Sequence, residues 1–298
     1  MPEKTSVQYQ KNFYFLKKFK KIAVTSLKIG ISLLLLYFVF RKVPFSDVWE
    51  LIKTSKYYFL IIALITFIAS QIISSERLLL YFHSNKFLIH KMDNLKLYLI
   101  GMFYNFFIPG GIGGDAYKVY VLNKQFGWSA RKLTKSVFCD RLSGLLAIIV
   151  LIEILALPLL SGYYKLLIIP AVVVTIAVAR LFFMRFFPEF KRIFYKTLLY
   201  SLGVQVCQLL SIYFILQSFT QVEDLWIYFI VFLISAVLSV ISFSGIGVRE
   251  WLFMKAAQYF TFNADISVST AMLFSFITAM VALVGICFQL KKFTVRLQ

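Results

Sequence analysis

The sequence predicts an all-α polytopic membrane protein, with six full spans and two broken re-entrant helical hairpins arranged as an inverted repeat. Three observations predict it: the composition, the lengths of the apolar runs, and a matched pair of glycine-rich breaks. Of the 298 residues, 60% are hydrophobic and only 15% are charged, with a mean hydropathy of +0.82. A soluble domain carries about 25% charged residues and about 45–50% apolar ones. A chain this apolar cannot cover its own surface, so lipid must be its solvent. Aromatic residues make up 18% of the chain, and many fall near run ends, where amphipathic rings favour the headgroup region.

About 20 apolar residues cross the hydrocarbon core of a bilayer. Six runs qualify, at residues 22–40, 57–82, 136–160, 163–184, 197–219 and 267–290. The N-terminal 21 residues are polar and basic. The run after them has no small-residue cleavage site and is followed by Arg41 and Lys42, so it reads as a retained span and not as a cleaved signal. Two further regions are apolar but interrupted. The first is 95–108, broken over 109–115 and resumed over 116–126; the second is 226–243, broken over 244–250 and resumed over 251–262. The stretch 226–243 reads either as half a hairpin or as a full crossing, and a crossing would leave the basic tail outside unless 251–262 also crossed, which its 12 residues do poorly.

With each broken region entering and leaving on one face, the inner loops and tail carry 19 Lys or Arg and the outer loops five. That asymmetry puts both termini in the cytoplasm of a cell-membrane protein. The formal net charge of +19 therefore belongs to topology and anionic headgroups. Nucleic acid is excluded as a partner, because no basic domain exists to fold around it.

The runs repeat. The first and fourth start 141 residues apart, the second and fifth 140, and the third and sixth 131; the Gly-Ile-Gly breaks at 111 and 245 lie 134 apart. Residues 1–298 read as a single membrane domain with halves 22–160 and 163–290. Three full spans per half make the second half enter from the opposite face. Interrupted helices meeting near the midplane are where many secondary transporters hold their substrate.

Backbone that leaves the helix at membrane depth survives only inside protein or beside a wet cavity. Pro109 stops the incoming half-helix, and Gly111, Gly113 and Gly114, like Gly245 and Gly247, permit a tight reversal. Asp115 and Glu250 open the returning half-helices, where a carboxylate caps free amides. A basic residue at the centre of a span costs about 2.5–3.5 kcal/mol on translocon scales, so Arg249 needs a reason. Asp140 and Arg141 add a second acid–base pair; as helical neighbours they point about 100° apart. With Lys118 these residues form the polar cluster that a charged headgroup requires, and Glu76 and Arg77 are further candidate members. Lys28, Glu153 and Arg180 also interrupt spans, Arg180 near enough to an end to snorkel.

Other chemistries lack their residues. Cys139, Cys207 and Cys287 lie in separate apolar runs with no CxxC pair, and His83 and His90 share one polar loop without a thiol or acidic cluster, so no metal or other cofactor is expected. The 111–116 segment fits a dinucleotide fingerprint formally, but no strand precedes it. No HExxH, GxSxG or Ser-His-Asp set appears.

Three stretches carry a family likeness: Asn105-Phe-Phe-Ile-Pro109-Gly-Gly-Ile-Gly-Gly-Asp115, Asp140-Arg141-Leu-Ser-Gly144 and Gly245-Ile-Gly247-Val-Arg249-Glu250. They resemble the membrane domain of lysylphosphatidylglycerol synthase, found also in flippase-like proteins without the synthase. Lys118 stands where the family commonly has Arg, and Ser242 or Ser244 where a proline usually precedes the second glycine pair. The resemblance implies movement of a lipid between leaflets. It does not imply aminoacyl transfer, because the chain has no long polar stretch to form the soluble domain that performs it. The expectation is thus a non-enzymatic carrier for a phospholipid or polyprenyl-linked lipid, with that membrane lipid as its partner. An integral-membrane transferase acting on a lipid-linked sugar and a cell-envelope scaffold stand as alternatives. Neither oligomeric state nor energy coupling can be read from the residues.

Overall fold

The computed structural model describes residues 45–107, 111–219, 225–239, 248–260, 263–290 and 294–297. The expected span 22–40, with Lys28, lies outside the described residues, as do Pro109, Gly245 and Gly247. The described chain is helical: α1 (Phe45–Thr54), α2 (Tyr57–Ser84), α3 (Lys91–Phe107), α4 (Gly113–Phe126), α5 (Ala130–Leu155), α6 (Ile168–Phe186), α7 (Phe194–Phe219), α8 (Leu225–Ser239), α9 (Val248–Phe260) and α10 (Ala264–Leu290). Among the described residues, the one extended pairing is an isolated bridge between Ile89 and Leu297.

Five helical segments are long and apolar enough to cross a membrane: Tyr57–Ser84, Ala130–Leu159, Gly162–Phe186, Phe194–Phe219 and Ala264–Leu290. They correspond to the five expected spans that fall within the described residues. Two bounds differ. The third span starts at Ala130, six residues before its apolar run, because α5 carries its basic first turns beyond the apolar stretch. The fourth begins with a 3₁₀ segment over Gly162–Leu167 before α6 takes over. The regions expected to be broken are short helix pairs, α3 with α4 and α8 with α9. The chain leaves the helix at residues 111–112 between the first two, and the expected second break, 244–247, lies outside the described residues.

Packing follows side-chain size. α2 buries Ala63, Phe67, Ser70, Gln71 and Ser74 on one face, and α7 buries Ser201, Val204, Ser211 and Ile212. Small residues let these two helices form the most extensive contact in the fold. Ser211 Oγ donates to the Ala63 carbonyl at 2.9 Å across that seam. α3 lies against α10, α8 against α5, and α10 also covers α9 and α7. Phe274 on α10 meets Phe67 of α2 and Phe232 of α8 edge-on, with centroids 5.3 Å and 4.8 Å away. The outward faces are apolar. Ile61, Ile65, Val173, Val178 and Leu181 are all exposed, and α6 buries only Phe183. Such surfaces suit acyl chains and not water.

The last described segment closes one end of the fold. Val295 is buried among Phe87, Leu97, Leu122 and Leu133. Its amide and carbonyl pair with the Gln125 side chain at 3.2 Å and 2.7 Å, and Arg296 donates its amide and Nε to Asp93, each at 3.0 Å. Burial alone would raise the Asp93 carboxyl. The hydrogen bonds from Arg296 and Lys96, with the Arg296 charge, outweigh it and hold the group below the usual carboxylate range. The tail therefore ties the start of α3 to the end of α4.

Candidate functional site

At the first break α3 stops at Phe107 and α4 resumes at Gly113. Gly111 takes a φ of +60°, the left-handed region where a Cβ is costly. Gly114 is needed for a different reason: a Cβ there would overlap the backbone of Gly101 on α3. The free amide of Gly114 donates to Asn105 Oδ1 at 2.7 Å. Asn105 therefore satisfies the new helix start from across the break, and the capping role expected of Asp115 is not what its side chain does.

Asp115 instead joins two cations. Lys118 Nζ, one turn on, lies 3.1 Å away, and Arg141 Nε of α5 bonds its other oxygen. Arg141 also donates through Nη2 to the carbonyl of Gly111, a group the interrupted backbone leaves exposed. The Lys118 ammonium sits 4.9 Å from the Tyr98 ring centroid, a cation–π contact that holds α4 against α3. Arg141 is about a third exposed, with 31% of its side chain accessible. It opens onto a groove of about 560 Å³ between α4 and α5. Ile112, Ala116, Tyr120, Val137 and Phe138 make the walls apolar, and Asp115 and Arg141 supply the charge. The lining extends from the break to Asn123 and Ala130, at the ends of α4 and α5 beside their loop.

Asp140 turns the other way. It accepts from Arg77 Nε at 2.8 Å and Nη2 at 3.2 Å, while Arg77 Nη1 donates to Ser201 Oγ at 2.8 Å. The guanidinium lies over Gly144, where an added Cβ would come within 3.3 Å of it. One buried bidentate pair thus joins α2, α5 and α7. Glu76 does not share this site; it meets Lys91 at 3.4 Å near the surface. The two neighbours part company, one buried and one at the rim.

Arg249, at the start of α9, is also buried. Its Nε and Nη1 meet the hydroxyls of Ser235 and Ser275 at 3.4 Å and 3.3 Å. Its guanidinium carbon lies 5.6 Å from the Phe232 centroid and 4.8 Å from that of Phe274. Ser275 Oγ donates to Glu250 Oε1 at 2.9 Å. Among the described residues the expected single cluster therefore forms three groups: Asp115–Lys118–Arg141, Arg77–Asp140–Ser201, and Arg249 with Glu250, Ser235 and Ser275. Ser201, Ser235, Ser275, Phe232 and Phe274 were not expected, since each is an unremarked residue of an apolar run whose partner is distant in sequence.

Among the described residues, the other two span charges, Glu153 and Arg180, also find partners. Thr175 Oγ1 donates to Glu153 Oε1 at 2.6 Å, and Arg180 bonds the Tyr195 hydroxyl near the exposed end of α6. Cys139 is buried, Cys207 half-buried and Cys287 exposed, and all are free thiols.

A search of curated proteins finds none that matches. The family model described as the lysylphosphatidylglycerol synthase TM region matches residues 25–196, which includes the first break, Asp115, Asp140 and Arg141 and ends within the first turn of α7. That match covers more than half of the sequence, and the chain belongs to the lysylphosphatidylglycerol synthase transmembrane-region family.

Proposed function

We propose that this membrane protein is a flippase-like carrier that moves the headgroup of a phospholipid or polyprenyl-linked lipid between leaflets without altering it covalently. The observation that carries the reading is the Asp115–Arg141 pair, set at a backbone break in the wall of a mainly apolar groove. A lipid has this same division of character. Arg141 offers a fork of donors that suits a phosphate, and Asp115 supplies the counter-charge when no headgroup is present. Tyr120 and Phe138, both exposed, face the position of the acyl chains.

Helix pairing favours a two-fold repeat, and an odd number of full spans per half would make it inverted. Exchanging the two halves maps α2 onto α7, α3 onto α8, α4 onto α9 and α5 onto α10. Under that exchange the α2–α7 seam maps onto itself, α3–α10 becomes α8–α5, and α4–α5 becomes α9–α10; all of these pairs are in contact. Each broken hairpin leans on the last span of the opposite half. Arg249 then occupies in the second half the place near a break that Asp115 occupies in the first. A headgroup passing between the hairpins meets a charged break from each side.

The test is leaflet exchange of fluorescent-headgroup lipids in proteoliposomes, with the lipids recovered for mass spectrometry. Loss of a hydrogen bond to a charged group, worth about 1.5–3 kcal/mol, predicts that Arg141→Gln slows exchange by about tenfold or more. Lipid masses are expected to be unchanged. Exchange at the wild-type rate would refute the site, and a lipid of altered mass would favour a transferase.

A further inference from the structure

We infer that a second cavity, at the ends of α2, α5 and the α6–α7 connection, binds the phosphate of an anionic phospholipid headgroup. It has a volume of about 480 Å³ and is lined by Asn85, Arg131, Lys132, Lys135 and Glu189. It shares no lining residue with the α4–α5 groove and does not depend on the transport reading.

Charge is the first argument. Lys135 is matched by Glu189 at 3.0 Å. Among the described residues neither Arg131 nor Lys132 has a carboxylate within ion-pair distance, so the cavity carries two unmatched cations. The backbone adds to them. Both residues lie in the first turn of α5, which contains no acid, and its N-cap Ser129 makes no side-chain cap bond. A helix N-terminus is the positive end of the dipole, where cations are disfavoured and anions favoured. Arg131 and Lys132 are exposed and have the opposite charge to that which the position favours, so an anion between them relieves both the mutual repulsion and the dipole.

Position supplies the second argument. α2 ends at Ser84, α5 begins at Ala130 and α7 begins at Phe194, so the cavity lies where spans leave the bilayer, at the level of lipid phosphates. The α6–α7 connection brings Lys191 and Arg192 to the same end. Basic pockets between spans at this level suit anionic headgroups. A lipid is favoured over a free anion because aromatic surface adjoins the cations. Lys135 lies 5.9 Å from the Phe187 ring, and the neighbouring Phe186 is exposed. A phosphate on Arg131 and Lys132 leaves acyl chains to run down these rings.

The test is native mass spectrometry of the full chain in neutral micelles, titrated with phosphatidylglycerol or with phosphatidylcholine of the same chains. The wild type is expected to retain one more phosphatidylglycerol than the Arg131→Gln/Lys132→Gln double variant, whose apparent affinity falls by about tenfold. Glu189→Gln, which removes the competing carboxylate, is expected to tighten binding, an effect that a purely structural role would not produce. Arg141→Gln, in the groove, leaves this increment intact. Equal retention by wild type and double variant, or equal retention of phosphatidylcholine, overturns the proposal. So does loss of the extra lipid in millimolar inorganic phosphate, which would reassign the cavity to the free anion.

Discussion

Arg77 and Arg249 are both buried cations, yet they are held by different chemistry. Arg77 has a bidentate carboxylate and a hydroxyl; among the described residues Arg249 bonds two hydroxyls and meets two aromatic faces, with the Glu250 charge nearby. The first arrangement is structural. Asp140→Asn strands the Arg77 charge, and breaking a buried pair from one side costs about 3–5 kcal/mol. The second arrangement gives up stability. Arg249→Met keeps the stem between the two rings and removes a desolvated charge, so unfolding in micelles is expected to shift by about 1 kcal/mol or less, while lipid exchange falls. Equal destabilisation by the two substitutions would contradict this division. The divergence of Asp140 and Arg141 was legible in the sequence, because adjacent helical residues point about 100° apart. Their partners were not: Arg77 and Asp115 lie 63 and 26 positions away, and no local pattern encodes such distances. The same limit hid Ser201 and Thr175, ordinary polar residues of apolar runs until a charge is found beside them.

Between elements, glycine sets how closely helices approach, and the three sites differ in what surrounds them. A Cβ on Gly114 meets the Gly101 backbone, and one on Gly285 meets the Leu99 backbone, neither of which can move aside. A Cβ on Gly203 meets only the Ile73 side chain at 3.9 Å, an ordinary contact. Gly114→Ala and Gly285→Ala are therefore expected to lower thermal stability in micelles, by the roughly 1–3 kcal/mol typical of overpacking. Gly203→Ala is expected to leave it near wild type. A reversed order would refute the α3–α4 and α3–α10 contacts. Helix existence was well marked in the sequence, since an apolar run longer than about 18 residues has few alternatives. Helix ends were less so. The six-residue extension of α5 carries Arg131, Lys132 and Lys135; a hydropathy reading ends where charge begins, whereas the hydrogen-bonded ladder continues into the headgroup layer. The cap at the first break was misread for a related reason. Asp115 stands in the expected place, but Arg141 and Lys118 take its oxygens, leaving Asn105, nine residues before Gly114, to satisfy the amide.

For the whole molecule, an all-α membrane protein of this family is a host for lipid chemistry or lipid movement, and the arrangement of the two helix pairs bears on which. Asp115 lies in the first turn of α4 and Arg249 and Glu250 in that of α9, while α3 packs against α10 and α8 against α5. The claim on which the proposed path rests is that each pair enters and leaves on one face, the two pairs from opposite faces. Impermeant maleimide labelling of single cysteines in sealed vesicles tests it, after replacement of Cys139, Cys207 and Cys287. Met92→Cys and Lys124→Cys mark the two ends of the first pair, Trp226→Cys and Tyr259→Cys those of the second. The account predicts that 92 and 124 label from one face and that 226 and 259 label from the other. Ends of either pair labelling from opposite faces would make it a crossing segment, and the proposed headgroup path would be lost.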